Sequence, residues 1–72
     1  MDYGSLKEIE RTADRFFIRT ILETIYTNVK IKLITEKNVC FFDKYHELIY
    51  LSNDRIVEFR PERKDAFKGR SR

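Results

Sequence analysis

The apolar positions of this chain follow one spacing before Asn28 and another after it. In SLKEIERTADRFFIRTILETIY, Ser5 to Tyr26, apolar residues recur three and four apart, and no Gly or Pro interrupts them. That spacing predicts an amphipathic helix. Ser5 and Glu8 have the S-x-x-E form of a capping box, in which each side chain satisfies a backbone N–H of the other residue. A helix is therefore expected from about Leu6 to Tyr26, stopping near Asn28. From Val29 the period becomes two. In VKIKLIT, Val29, Ile31 and Leu33 alternate with Lys30 and Lys32, the pattern of a half-buried strand. VCFF, ELIYLS and RIVEFR read as further strands, separated by the turn residues EKN, DKYH and ND. Pro61 closes the last strand because it cannot donate to a ladder.

The connections are too short for parallel crossovers. The expected fold class is thus α+β: one N-terminal helix packed on a three- or four-stranded antiparallel β-meander. Residues 1–61 are expected to form a single domain and residues 62–72 a flexible basic tail. Which of Phe41 and Phe42 faces the core stays open, since a slip of one residue exchanges the two faces of a strand.

The helical stripe is not straight. At about 100° per residue, Leu6, Ile9, Ala13 and Phe16 share one face, whereas Ile18, Ile21, Leu22, Ile25 and Tyr26 share another. Two arrangements fit. The helix bends or breaks between Asp14 and Phe17, or its second half packs on its own sheet while Leu6, Ile9, Ala13 and Phe16 meet another chain. Under either, Ile21 and Ile25 are expected in the core.

Length sharpens the case for a partner. A chain of 72 residues has room for one marginal core, and small folds add disulfides, a metal or a second subunit. Cys40 is the sole cysteine and His46 the sole histidine, so neither an intrachain disulfide nor a four-ligand zinc site of Cys and His is expected. A homo-oligomer, in the first place a homodimer, is the remaining device. No apolar run approaches the about 18 residues of a membrane span, the N-terminus does not read as a secretory signal, and a lone thiol suits a reducing compartment. These point to an intracellular, cytoplasmic protein that does not enter a membrane.

Catalytic chemistry has little to stand on. Gly4 and Gly69 are the only glycines, which rules out a Gly-rich phosphate loop. His46, beside Asp43 and Glu47, is the single acid–base candidate and reads as a turn residue. Cys40 sits between Val39 and Phe41 and reads as a small buried hydrophobe. No enzymatic activity, metal or cofactor is expected.

Charge is more suggestive. Residues from Arg60 onward hold six basic and two acidic side chains, a surplus of +4, whereas the remainder holds nine basic and ten acidic ones. On the expected helix, Lys7, Arg11, Arg15 and Arg19 fall four apart in a basic row. Lys30 and Lys32 lie on the exposed face of the next strand, and the tail adds Arg63, Lys64, Lys68, Arg70 and Arg72. Such elements suit phosphate contact without base reading. The expected function is a small non-catalytic nucleic-acid-binding protein, for RNA or DNA, acting through the tail and the helix face. The alternative is a protein-interaction module, a small regulator or inhibitor that docks on a larger enzyme.

Three stretches carry a family resemblance. VKIKLIT, FDKYHELIYL and LSNDRIVEFRP are similar to the first, second and closing conserved strands of Sm-like and Hfq-like RNA-binding barrels. The chain departs from that pattern in having no Gly in LITEKN, and Val29 to Pro61 is short for five strands. The resemblance implies a ring-shaped, RNA-binding oligomer with His46 and Asn53 near the bases.

Overall fold

The computed structural model describes residues 1–62; the tail positions Arg63, Lys64, Lys68, Arg70 and Arg72 lie outside the described residues. The α+β class holds, with a helix packed on an antiparallel sheet, which has five strands where three or four were expected. The elements are α1 (Tyr3–Glu10), β1 (Phe16–Thr20), β2 (Ile25–Ile34), β3 (Asn38–Phe42), β4 (Leu48–Ser52), a 3-10 turn at Asn53–Arg55, and β5 (Ile56–Pro61). One sheet joins all five strands in the order β4-β3-β2-β1-β5.

The expected helix of Leu6–Tyr26 is corrected to a single short helix followed by a β-hairpin. The helix begins earlier than Ser5 because Asp2 is the N-cap, its carboxylate accepting the Ser5 N–H at 3.3 Å. It stops at Glu10. The Arg11 N–H reaches Glu8 and Ile9 carbonyls, and the Thr12 hydroxyl donates to Ile9 O at 2.7 Å, a local bond that competes with helix continuation. Beyond it the chain is rich in aromatic and β-branched residues, which favour strands. Burial in β1 alternates: Phe16, Ile18 and Thr20 are buried, Phe17 and Arg19 half-buried. The misleading three-and-four spacing arises because this alternation is followed by a turn that is itself apolar.

Thr20 organises that turn. Its buried hydroxyl accepts the Leu22 and Thr24 N–H groups at 3.3 and 3.2 Å, and its carbonyl accepts the Glu23 N–H at 2.9 Å. Glu23 takes a positive φ of 67° there.

Strand β2 serves two ladders. Its first half pairs with β1 (Phe16↔Val29, Ile18↔Tyr26) and its second with β3 (Ile31↔Phe41, Leu33↔Cys40). Each ladder leaves one extra residue on β2. The first irregularity contains Asn28, whose φ of 54° lies in the left-handed region that Asn tolerates. Bulges bend a strand and raise its twist, so β2 can wrap the sheet around one core. That core is Leu6 from the helix with Phe16, Ile18, Val29, Ile34, Val39, Phe41, Ile56 and Phe59 from the strands. Phe16 stacks on Phe59 with ring centroids 4.9 Å apart. The open register resolves with Phe41 fully buried and Phe42 half-buried.

Candidate nucleic-acid interface

The sequence-predicted basic row does not exist as a helical face, because the helix ends before three of its four members. Lys7 stays on α1 and pairs with Glu10 at 3.4 Å. Arg11 follows the helix and Arg15 precedes β1, both exposed. Arg19 lies in β1, where its Nε donates to Glu58 Oε1 at 3.1 Å and its Nη1 sits 3.6 Å from Glu23. Arg60 also binds Glu58, at 2.8 Å, and lies over the Phe17 ring, 4.1 Å from its centroid. The two guanidiniums, Arg60 first, hold the Glu58 carboxyl below the usual carboxylate range.

Strand pairing assembles a different basic cluster. Phe16 pairs with both Val29 and Pro61, so Arg15, Lys30 and the exit of β5 meet at one end of the sheet. The Glu62 N–H donates to the Arg15 carbonyl at 2.8 Å, and the Glu62 carboxylate accepts the Asn28 N–H at 2.7 Å. The tail therefore starts beside Arg15. Lys30 and Lys32 are both exposed on β2. Among the described residues, Arg11, Arg15, Lys30 and Lys32 form no ion pair.

Acidic groups border this end as well. Lys30 lines a shallow open cleft of about 180 Å³ with Glu10, Ala13, Asp14, Phe16 and Ile31. That volume is below the roughly 300–1,000 Å³ of small-molecule sites, so the cleft is a surface irregularity of the interface. No group of three or more metal-ligating side chains occurs among the described residues.

Sequence reasoning missed Lys44 and Tyr45. They occupy the β3–β4 turn, which leaves β3 directly after Phe42, the partner of Lys30. Tyr45 is 73% exposed, and the Lys44 ammonium lies 5.4 Å from its ring centroid. The turn is rigidly built: Asp43 Oδ1 accepts the Tyr45 and Glu47 N–H groups, each at 2.9 Å, and His46 adopts a positive φ of 69°. Asp43 thus closes a turn with its side chain instead of orienting His46. An exposed aromatic within a turn motif leaves no periodic signal, which is why the sequence did not single it out.

The expected partner surface of Leu6, Ile9, Ala13 and Phe16 is corrected. Leu6 and Phe16 are buried in the chain's own core, and Ile9 and Ala13 pack against it. Conversely, Ile21, Leu22 and Ile25, expected inside, are exposed at the β1–β2 turn.

His46 and Asn53, joined by the Sm-like resemblance, lie at opposite ends of the β3–β4 hairpin, beyond the Phe42↔Leu48 and Asn38↔Ser52 pairs respectively. Asn53 is 4% exposed, and its side-chain amide donates to Thr35 O at 3.0 Å; it ties the β2–β3 turn to the 3-10 turn. VKIKLIT, likened to a first strand, lies in the second strand of the sheet, β2. No family model, no curated protein and no solved structure matches this chain.

Proposed function

We propose that this protein binds single-stranded nucleic acid at the end of the sheet where Arg15, Lys30 and the origin of the basic tail converge. The observation that carries this reading is the double pairing of Phe16 with Val29 and Pro61, which gathers cations from three separate parts of the chain. Arg11, Arg15, Lys30 and Lys32, with the tail's Arg63, Lys64, Lys68, Arg70 and Arg72, supply phosphate contacts. Tyr45, with Lys44 over its ring, offers a stacking surface on the neighbouring turn. Stacking on an exposed aromatic needs an unpaired base, and it accepts any base because each has a π-face. Glu10, Asp14 and Glu62 limit the field, so affinity depends on the tail.

The test is fluorescence anisotropy with labelled single-stranded RNA, single-stranded DNA and duplex DNA across a salt series. Single strands should bind more tightly than duplex, with affinity falling steeply as salt rises. Arg15→Ala and Lys30→Ala should each flatten the salt slope by about 0.7 on single strands. Lys37→Ala, on the β2–β3 turn at the far end of β2, should leave it unchanged. Tyr45→Ala should weaken single-strand binding by about 1–3 kcal/mol and leave duplex binding alone. Deleting residues 66–72 removes Lys68, Arg70 and Arg72 and should flatten the slope by roughly two. An absence of binding at low salt refutes the proposal.

A further inference from the structure

The two edges of the sheet are built differently. β5 has an extra residue at Val57, where Arg19↔Glu58 is followed by Thr20↔Ile56. It also carries Glu58 and Arg60 and ends in Pro61. Bulges, charges and proline are the devices that keep an edge strand from pairing with another chain. β4 has none of them. Its sequence, LIYLS, contains no charge and no proline, and its register with β3 is unbroken across five pairs, Phe42↔Leu48 to Asn38↔Ser52.

The hydrogen-bond phase of β4 says which of its amides are unused. The Asp43 N–H donates to Glu47 O at 3.0 Å and the Asn53 N–H to Lys37 O at 2.8 Å. Hydrogen-bonded pairs alternate along an antiparallel ladder, so Ile49 and Leu51 spend their amides on β3. Leu48, Tyr50 and Ser52 point theirs away from it. The side chains at this edge are apolar and uncovered. Tyr50 is 68% exposed and Leu48 is exposed, and the pairs Cys40↔Tyr50 and Leu33↔Cys40 lead inward past the buried Cys40 to exposed Leu33. The neighbouring Cys40 side chain holds the Tyr50 phenol above its ordinary pKa.

We infer that β4 pairs antiparallel with β4 of a second copy, about a two-fold axis at Tyr50, to give a continuous ten-stranded sheet. Two observations favour a second copy as the occupant. An antiparallel strand centred on Tyr50 is self-complementary: Leu48 meets Ser52, Tyr50 meets Tyr50, and all outward amides are used. The uncharged strand meets itself without like-charge contact, whereas β5 would bring Glu58 and Arg60 against Leu48 and Tyr50. This inference is independent of nucleic-acid binding. A five-residue strand pair covers less than the about 1,200–2,000 Å² of a standard stable interface, so the dimer is a concentration-dependent one.

Sedimentation velocity of the full chain over a dilution series tests it. The mass should rise from 8.8 kDa toward twice that value. Tyr50→Lys, at an exposed position, opposes two ammonium groups and should weaken dimerisation at least about tenfold, with circular dichroism and melting unchanged. Val57→Lys on the other edge should leave the dimer intact. A second measurement traps the register. A hydrogen-bonded antiparallel pair sets Cα atoms about 5.5 Å apart, within disulfide reach, so the Cys40→Ala, Tyr50→Cys double variant should form a covalent dimer under mild oxidation. A monomer at every concentration with no covalent dimer overturns the inference. So does an assembly larger than a dimer that Val57→Lys also disrupts, because that would mean β4 joins β5 head to tail.

Discussion

The two ends of the β1–β2 hairpin have similar side chains and opposite fates. At the open end, Phe16 and Ile18 are at most 1% exposed, roofed by Leu6 of the helix and flanked by Phe59 of β5. At the closed end, Ile21, Leu22 and Ile25 are more than half exposed, Leu22 at 71%. Apolarity is the same in both places; what differs is whether another element arrives to cover it. α1 is only eight residues long, roughly 12 Å at 1.5 Å per residue, and it packs against β2 and β5 without covering the β1–β2 turn. A side chain gains the roughly 25 cal/mol per Å² of burial only where such cover exists. Burial is therefore a property of an address in the fold, and the hairpin shows it over a handful of residues.

Substitution at the covered end should have the largest effect. Phe16→Ala removes a buried ring stacked on Phe59 and should cost about 3–5 kcal/mol, a large part of the roughly 5–15 kcal/mol that holds a small domain together. Ile21→Asp and Ile25→Asp, at the uncovered end, should stay within about 0.5 kcal/mol of the parent. Urea unfolding of the three variants reads this contrast directly, and comparable losses at both ends would erase it. Next in size is Thr20→Val, at the junction of the two ends. The side chain keeps its shape, but the Leu22 and Thr24 amides lose their acceptor, for an expected loss of about 1–2 kcal/mol.

Within the turn itself the effects shrink further. Glu23 holds a left-handed backbone conformation that costs an L-residue about 1–2 kcal/mol, while its ion pair with Arg19 is exposed and worth little. Glu23→Gly should raise stability by about 0.5 kcal/mol once the added freedom of the unfolded chain is counted, visible as a small upward shift in melting temperature. The smallest effect belongs to the outer face of β1 and β5. Because Arg60 and Arg19 lower the Glu58 pKa, that carboxylate stabilises the fold above the ordinary glutamate value of 4.5. Its contribution disappears as pH falls below that value and through the lowered pKa. Stability of the parent should drop more steeply than that of Glu58→Gln over this acidic window; identical profiles would show that the exposed network carries no weight.

Local pattern revealed the second half of the molecule well. VKIKLIT, VCFF, ELIYLS and RIVEFR became β2, β3, β4 and β5 because each is a short period-two or β-rich run between turn residues. The first half was legible only to Glu10. FFIRTILETIY satisfies a helical spacing and a strand-turn-strand pattern equally, and neighbouring residues alone do not choose between them. The pairing of β1 with β5, distant in sequence, makes the choice. The same limit applies to the candidate interface. The cations were all visible as residues, but the row Lys7–Arg11–Arg15–Arg19 presupposed a helix that ends at Glu10. The grouping of Arg15, Lys30 and the tail's origin needed the Phe16↔Val29, Phe16↔Pro61 and Arg15–Glu62 contacts, between residues well separated along the chain.

The sequence by itself determined the α+β class, the antiparallel run of β2, β3 and β4, the buried free thiol at Cys40 and the concentration of positive charge at the C-terminal end. Each follows from short-range spacing or from residue counts, which are independent of how the chain is arranged. Tertiary structure alone decided that Phe16–Thr20 is a strand, that Leu6 and Phe16 are core while Ile21, Leu22 and Ile25 are surface, and that β4 is left as an uncharged open edge. These depend on which element lies next to which, and that is fixed by the long-range closure of β5 onto β1 beneath a helix too short to cover the rest.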